Sequence, residues 1–311
     1  MRELRPNNRG ISGFTLVELM VSISVLAILG GLVAQLMSSA SRLTSSSKQS
    51  SDCDTEARYA LSQISSDIAR RVRRPDVDAF VGKADGNDKL FLFSEVAGYA
   101  PALDANSRST VSLVGYRIKT VQKGIGTQTG LELQRYARAL PWIATDSNKS
   151  LPFITLSGTP PVPSPASTLA GTNGKGSGGS FPSVLADDTA EDVYFQPLAQ
   201  NVVRLEVSLL KKWEGTNEAK LLTDAEIPTE LSKNGFSNIT AIIITIAVLD
   251  SQNALKVTQA DIDNLGLENT DPASTTKYPL DKWNEKFKEK MTSLPKPLVN
   301  GIHFYQRVIS L

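Results

Sequence analysis

At 311 residues the chain has room for one large domain or two small ones. Lys and Arg total 33 against 32 for Asp and Glu, so no global field marks nucleic acid or an anionic membrane as a partner. The only cysteine, Cys53, excludes an internal disulfide, and the only histidine, His303, excludes His-rich metal sites and leaves histidine-dependent hydrolysis a single candidate.

The apolar residues are unevenly spread. A short polar segment with Arg2, Arg5 and Arg9 precedes Gly13-Phe14-Thr15-Leu16-Val17-Glu18, and an apolar run continues to Met37. Phe14–Met37, which includes Leu16, Val17 and Leu19, is 24 residues, and a bilayer needs about 20. Arginines on the N-terminal side keep that end cytoplasmic and put the remainder outside the inner membrane. Glu18 is the one charge in the run. A carboxylate inside an apolar span is unfavourable by about 2.5 kcal/mol or more, so it calls for a partner or a purpose. An ordinary secretory signal, cut near Ser38-Ser39-Ala40, has an apolar core of only about 7–15 residues. A plain signal anchor would leave Glu18 to a polar partner or to snorkelling.

G-F-T-L-V-E, after a basic leader and before an apolar helix, resembles the class III signal of type IV pilins and type II secretion pseudopilins. The resemblance implies cleavage after Gly13 by a dedicated prepilin peptidase and N-methylation of Phe14. It also implies pairing of Glu18 with the N-terminal amine of a neighbouring subunit as helices bundle into a filament. A free ammonium and a carboxylate, each poorly solvated in hydrocarbon, can neutralise each other between packed helices. The expected organisation is a leader over 1–13, a membrane and filament-core helix over 14–37, an amphipathic stem half over 38–74 and a β-rich extracytoplasmic head over 75–311.

Beyond Met37, Leu61, Ile64, Ile68 and Val72 step by three or four residues along one helical face. Arg58, Gln63, Asp67, Arg70, Arg71 and Arg73 fall mostly off that stripe. Pro75 stops the helix, so a helix from Phe14 to Arg74 would run roughly 90 Å at 1.5 Å per residue. Gly30-Gly31 and the Ser-rich stretch 38–51 are its weak points. Cys53 reads as a small helix residue, and Arg70-Arg71-Val72-Arg73-Arg74 as a solvated helix end favoured by the macrodipole.

A turn at Asp85-Gly86-Asn87-Asp88 lacks the distal Glu of a calcium loop. It leads into Leu90-Phe91-Leu92-Phe93, and two further strands, 111–121 and 131–140, complete an antiparallel meander that pairs 114–118 with 131–135. The stretch 157–183 is rich in Pro, Gly, Ser and Thr and reads as a mobile loop. Its Gly174-Lys175-Gly176-Ser177 lacks phosphate-loop spacing.

Val203, Leu205, Val207 and Leu209 alternate as in a half-buried strand, followed by Trp213 and a loop over 228–238. Ile239–Asp250 is apolar nearly throughout, as in a central strand covered on both faces. The order of Leu198–Leu205, Trp213 and the 239–250 strand is similar to J-type minor pseudopilins. It also resembles pilin-like cassette proteins of Verrucomicrobia-type bacteria, which share the leader and end in an aromatic-Arg strand, here Phe304-Tyr305-Gln306-Arg307-Val308-Ile309. Short helices over 261–267 and 281–291, a stop at Pro295 and Pro297, and a last strand over 302–309 complete the chain, with His303 packed or at an edge. The expected fold is α+β and pilin-like: a long N-terminal helix packed on an antiparallel sheet. The resemblance implies a minor pilin or pseudopilin, not an enzyme, without cofactors. Its partners would be sister subunits, the peptidase and the inner membrane, with no nucleic acid. A filament-tip adhesin acting through 157–183 is the rival reading.

Overall fold

The computed structural model describes residues 15–73, 79–83, 86–99, 110–122, 129–139, 194–212, 219–267 and 278–311. The chain divides into two compact units, Met1–Gln49 and Ser50–Leu311. Helix α1 spans Leu16–Ala69 and contributes to both. Within the first unit it is the only described element.

In the second unit the strands form two antiparallel sheets, not one. Five strands, β1 (Phe80–Gly82), β2 (Lys89–Ser94), β3 (Ser112–Gln122), β4 (Thr129–Ala139) and β5 (Phe195–Gln200), lie in chain order. The other sheet runs β7 (Ala219–Leu221), β6 (Val202–Lys212), β8 (Ile239–Leu249), β9 (Ile302–Ser310). The meander is as expected, but with 114–118 facing 133–137, two residues from the expected register.

The stem residues Cys53, Ala57, Ala60, Leu61, Ile64 and Ile68 recur at helical spacing and are buried. They join Leu92, Val114, Tyr116 and Leu133 of the first sheet, and Leu205, Val207, Ile244 and Ile246 of the second, in one hydrophobic core. The alanines let the helix backbone approach closely, while burying Ile64 or Ile68 stabilises the unit by about 1.5–3 kcal/mol each. Val72 leaves the expected stripe: its N–H donates to Phe93 O (2.9 Å).

Helix α1 ends at Ala69, short of Arg74, because the next residues join the β2 edge. Arg71 bridges Ser94 antiparallel. Ser94 Oγ donates to Asp67 O (2.8 Å), Arg71 N–H to Ile68 O (3.1 Å) and Glu95 N–H to Arg70 O (2.8 Å). The carbonyls that a helix end leaves orphaned are thus taken up before Pro75 is reached; Pro75 itself lies outside the described residues, as do 157–183 and Trp213. Arg71 is buried, so the arginine run is not simply a solvated helix end.

The expected alternation in β6 fails at a bulge. Val202 lies in the stem core, but a register shift between Val202 and Arg204 sends Val203 to the opposite face. There it meets Leu249, Leu265, Trp283, Leu298 and Ile302, in a second core beneath α4 (Gln259–Leu265), α5 (Pro279–Lys290) and α6 (Lys296–Gly301). The strand is therefore largely buried on both faces. β8 is covered on both faces as expected. Between β5 and β6 the chain changes sheet at Asn201, whose φ of 55° is the left-handed conformation that Asn tolerates best after Gly. Its N–H donates to Leu131 O (2.8 Å) and its carbonyl accepts from Leu249 N–H (2.9 Å), so one residue ties both sheets.

Two helices replace expected loop or stop. α2 (Glu226–Asn234) occupies most of the expected 228–238 loop. Thr223 and Glu226 cap each other, Thr223 N–H to Glu226 Oε2 at 2.9 Å and Glu226 N–H to Thr223 Oγ1 at 3.3 Å. Pro228 then falls in the first turn, where its missing N–H is no loss. Pro295 and Pro297 likewise open α6 instead of closing a helix. α3 (Ser251–Ala254) begins with an Asp250 cap, Asn253 N–H to Asp250 Oδ1 at 2.7 Å.

Candidate assembly site at the N-terminal helix

Among the described residues, the apolar part of the first unit carries a single charge: a carboxylate at the head of the helix. Thr15 lies just before the helix and its Oγ1 accepts from Glu18 N–H (3.3 Å), while Thr15 O accepts from Leu19 N–H (3.2 Å). Thr-x-x-Glu is capping-box spacing, with Glu18 at the third helical position, and an anionic side chain there also faces the positive end of the helix dipole. Among the described residues the Glu18 carboxylate makes no hydrogen bond or ion pair. It is available to a cation.

Behind it the helix is apolar on every side and uncovered. Leu16, Val17 and Leu19 are exposed, Leu26 is 72% exposed and Met37 70%. The first part of α1 is long and apolar enough to cross a membrane. A helix hydrophobic all round demands an apolar surround, lipid or other helices. Its hydroxyls are internally satisfied, Ser22 Oγ donating to Glu18 O (2.7 Å) and Ser24 Oγ to Met20 O (2.8 Å). Gly13 and Phe14 lie outside the described residues.

The second unit carries a buried polar hub that the sequence did not announce. Asp67, expected off the core stripe, is fully buried. Its carboxylate accepts from the Tyr116 hydroxyl, from Arg135 Nε (2.6 Å) and from Gln63 Nε2 (3.0 Å). Arg135 also donates to Tyr99 Oη (2.8 Å). Burial and the neighbouring carboxylate push the Tyr116 hydroxyl well above its ordinary pKa. Burial works against the Arg135 charge, but the hydrogen bond and charge of Asp67, with Tyr116 and Tyr99, together outweigh it and the pKa rises. A second tie joins the stem to β9, Tyr305 Oη donating to Asp54 Oδ1 at 2.5 Å.

Asn87 and Asp88, read as a plain turn, finish the free edge of β6. Leu205 N–H donates to Asn87 Oδ1 (2.9 Å), Val207 N–H to Asp88 Oδ2 (2.7 Å), and Asp88 N–H to Leu205 O (3.1 Å). Lys83 Nζ neutralises Asp88 at 2.6 Å and also meets Asp224 at 3.0 Å. A cation at Asp88 would have to displace these partners. Among the described residues no group of three or more His, Cys, Asp or Glu side chains is placed to hold a metal. His303 lies half-buried in β9 opposite Val248, its ring 6.5 Å from that of Tyr305. Burial pushes the Cys53 thiol up to about 11, which leaves it protonated and unreactive at neutral pH.

Residues 8–34 match the family described as the prokaryotic N-terminal methylation motif. Among solved structures, a type IV-like pilin from Thermus thermophilus is similar over 83% of this chain and 95% of its own, at 11% identity and a TM-score of 0.32, a likeness too remote to carry weight. No curated protein matches the chain. The family match is confined to the N-terminal segment; behind it lie the apolar helix and, in the second unit, a stem helix packed on antiparallel sheets, an α+β fold.

Proposed function

We propose that the protein is a minor pilin or pseudopilin, a structural subunit of a type IV pilus or a type II secretion pseudopilus. The observation that carries this reading is the methylation motif at 8–34 opening onto an uncovered apolar helix whose single charge is Glu18. In this reading prepilin peptidase cuts after Gly13 and Phe14 becomes the methylated N-terminus. Before assembly the Phe14–Met37 segment anchors the chain in the inner membrane as a single span, with the head extracytoplasmic. During assembly the span leaves lipid for a bundle of sister helices, so its apolar surface stays covered throughout. Glu18 then neutralises the N-terminal amine of a neighbour, a pairing strengthened by the low dielectric of the bundle. The likeness of 195–250 to J-type minor pseudopilins favours a position at the filament tip or in its initiation.

Intact mass and N-terminal sequencing of protein taken from its native membrane test the processing. A chain beginning at Phe14 and heavier by one methyl group is the expected result. An N-terminus at Ser41, or an uncleaved Met1, would refute it. Glu18→Ala should then leave the cleaved protein in the membrane but abolish its incorporation into filaments.

A further inference from the structure

The arginines at the foot of α1 differ from two buried carboxylates of the second unit, each of which has a cation beside it. Asp67 has Arg135, and Asp88 has Lys83. Arg71 is 8% exposed and has no carboxylate partner among the described residues. Its guanidinium makes one hydrogen bond, Nη1 to Ile68 O at 3.3 Å, and Nε is buried without an acceptor. The half-buried Phe236 ring stands over the group, 5.9 Å from ring centroid to Cζ. Arg70 and Arg73, on either side, are exposed and also lack ion pairs among the described residues. Glu95, the acidic residue of this edge, gives Arg70 O its backbone N–H. Burial first, and Arg73 second, disfavour the Arg71 charge.

A cation removed from water without a counter-charge is normally a defect. The bonded Nη1 and the overlying ring hold the guanidinium in place and leave its Nε edge unmatched. That edge is part of the planar fork which fits a carboxylate or phosphate with two parallel hydrogen bonds. Arg70 and Arg73 add flanking positive charge at the surface.

We infer that Arg70, Arg71 and Arg73 form a binding site for an oxyanion, with the Arg71 fork as its inner donor and the two exposed arginines as its rim. The anion supplies the counter-charge that Arg71 lacks among the described residues. It is either a phosphate group or a carboxylate of an acidic segment of a partner protein, and the two share this chemistry. The inference is independent of the filament role, since it concerns the second unit alone.

The test uses the full-length chain in neutral detergent, titrated at constant ionic strength with inorganic phosphate and, separately, with a tetraglutamate peptide. Binding is followed by calorimetry and by the unfolding midpoint. Either anion should bind and raise the midpoint where chloride does not. Phosphate alone would identify phosphate chemistry, and the peptide a carboxylate partner. Arg70→Gln/Arg73→Gln, both exposed positions, should fold normally and bind about tenfold more weakly or worse. Arg71→Met should lose the response completely yet unfold no earlier than the wild type without ligand, because it removes an uncompensated charge. Equal stabilisation by chloride, unchanged binding in the double variant, or no response to either anion would overturn the assignment.

Discussion

The hub at Asp67 gives the sharpest test of how the stem is fastened to the head. Its side chain is 1% exposed and that of its partner Arg135 8%, with Nε to Oδ2 at 2.6 Å. Asp67→Leu leaves a buried guanidinium facing hydrocarbon and takes the acceptor from the Tyr116 hydroxyl. Breaking a buried pair by removing one partner destabilises by about 3–5 kcal/mol, and an orphaned buried hydroxyl by about 1–3. The two effects overlap, so about 4 kcal/mol is expected, which for a unit of this size lowers the melting midpoint by roughly 8–16 °C. The double variant Asp67→Leu/Arg135→Met removes both charges and should recover at least about 2 kcal/mol of the loss. Urea unfolding of the detergent-solubilised full chain, followed by tryptophan fluorescence and near-ultraviolet circular dichroism, measures Asp67→Leu, Arg135→Met and the double variant. A loss under about 1 kcal/mol for Asp67→Leu, or additive single effects, would refute the claim that this pair carries the attachment.

Glu206 gives a pH dependence of opposite sign to that of most carboxylates. Burial, ahead of the attraction of Lys83, pushes its carboxyl up to about 7. Stability from this group is therefore complete below its unfolded value of 4.5 and is lost as pH rises through 7. Glu206→Gln should unfold at higher urea than the wild type at pH 8, by about 1–3 kcal/mol, with the gap closing at pH 4; a constant gap would sink the assignment. Gly115→Ala should destabilise by about 1–3 kcal/mol through overpacking, because its methyl carbon would lie 1.9 Å from Cε1 of Phe91. Adding Phe91→Leu should restore part of that loss, and thermal melting that shows no loss for Gly115→Ala would mean the ring moves aside freely.

What the sequence made legible was what local periodicity encodes. The Leu61–Ile64–Ile68 stripe and the meander follow from spacing of three to four or of two, and the apolar helix and the doubly covered β8 from continuous apolar runs. Helix starts were equally readable: Thr15 caps the Glu18 N–H, and Thr223-x-x-Glu226 and Thr258-x-x-Asp261 form reciprocal capping boxes. The box at Thr223 would have replaced the expected 228–238 loop with α2. Features fixed by contacts distant in sequence stayed hidden. Asp67 looks like a surface residue until Arg135, 68 positions later, is laid beside it. The bulge at Val203 and the change of sheet at Asn201 depend on what each face meets, not on the alternation itself. For Glu18 the motif announced the residue, while the capping of its backbone N–H needed only the threonine three positions earlier.

The stem is tied at two heights to different sheets: Asp54 to Tyr305 of β9, and Asp67 to Tyr116 and Arg135 of β3 and β4. Between these anchors it acts as a splint. A tensile load entering along Ser50–Ala69 is divided between both sheets: the first separates only as the buried Asp67–Arg135 pair yields, the second as the Asp54–Tyr305 hydrogen bond does. The pivot at Asn201 and the Asn87–Asp88 seam are shielded from that load as long as the splint holds. A subunit built this way keeps its head intact under pulling until the stem itself tears free, so its mechanical failure is abrupt.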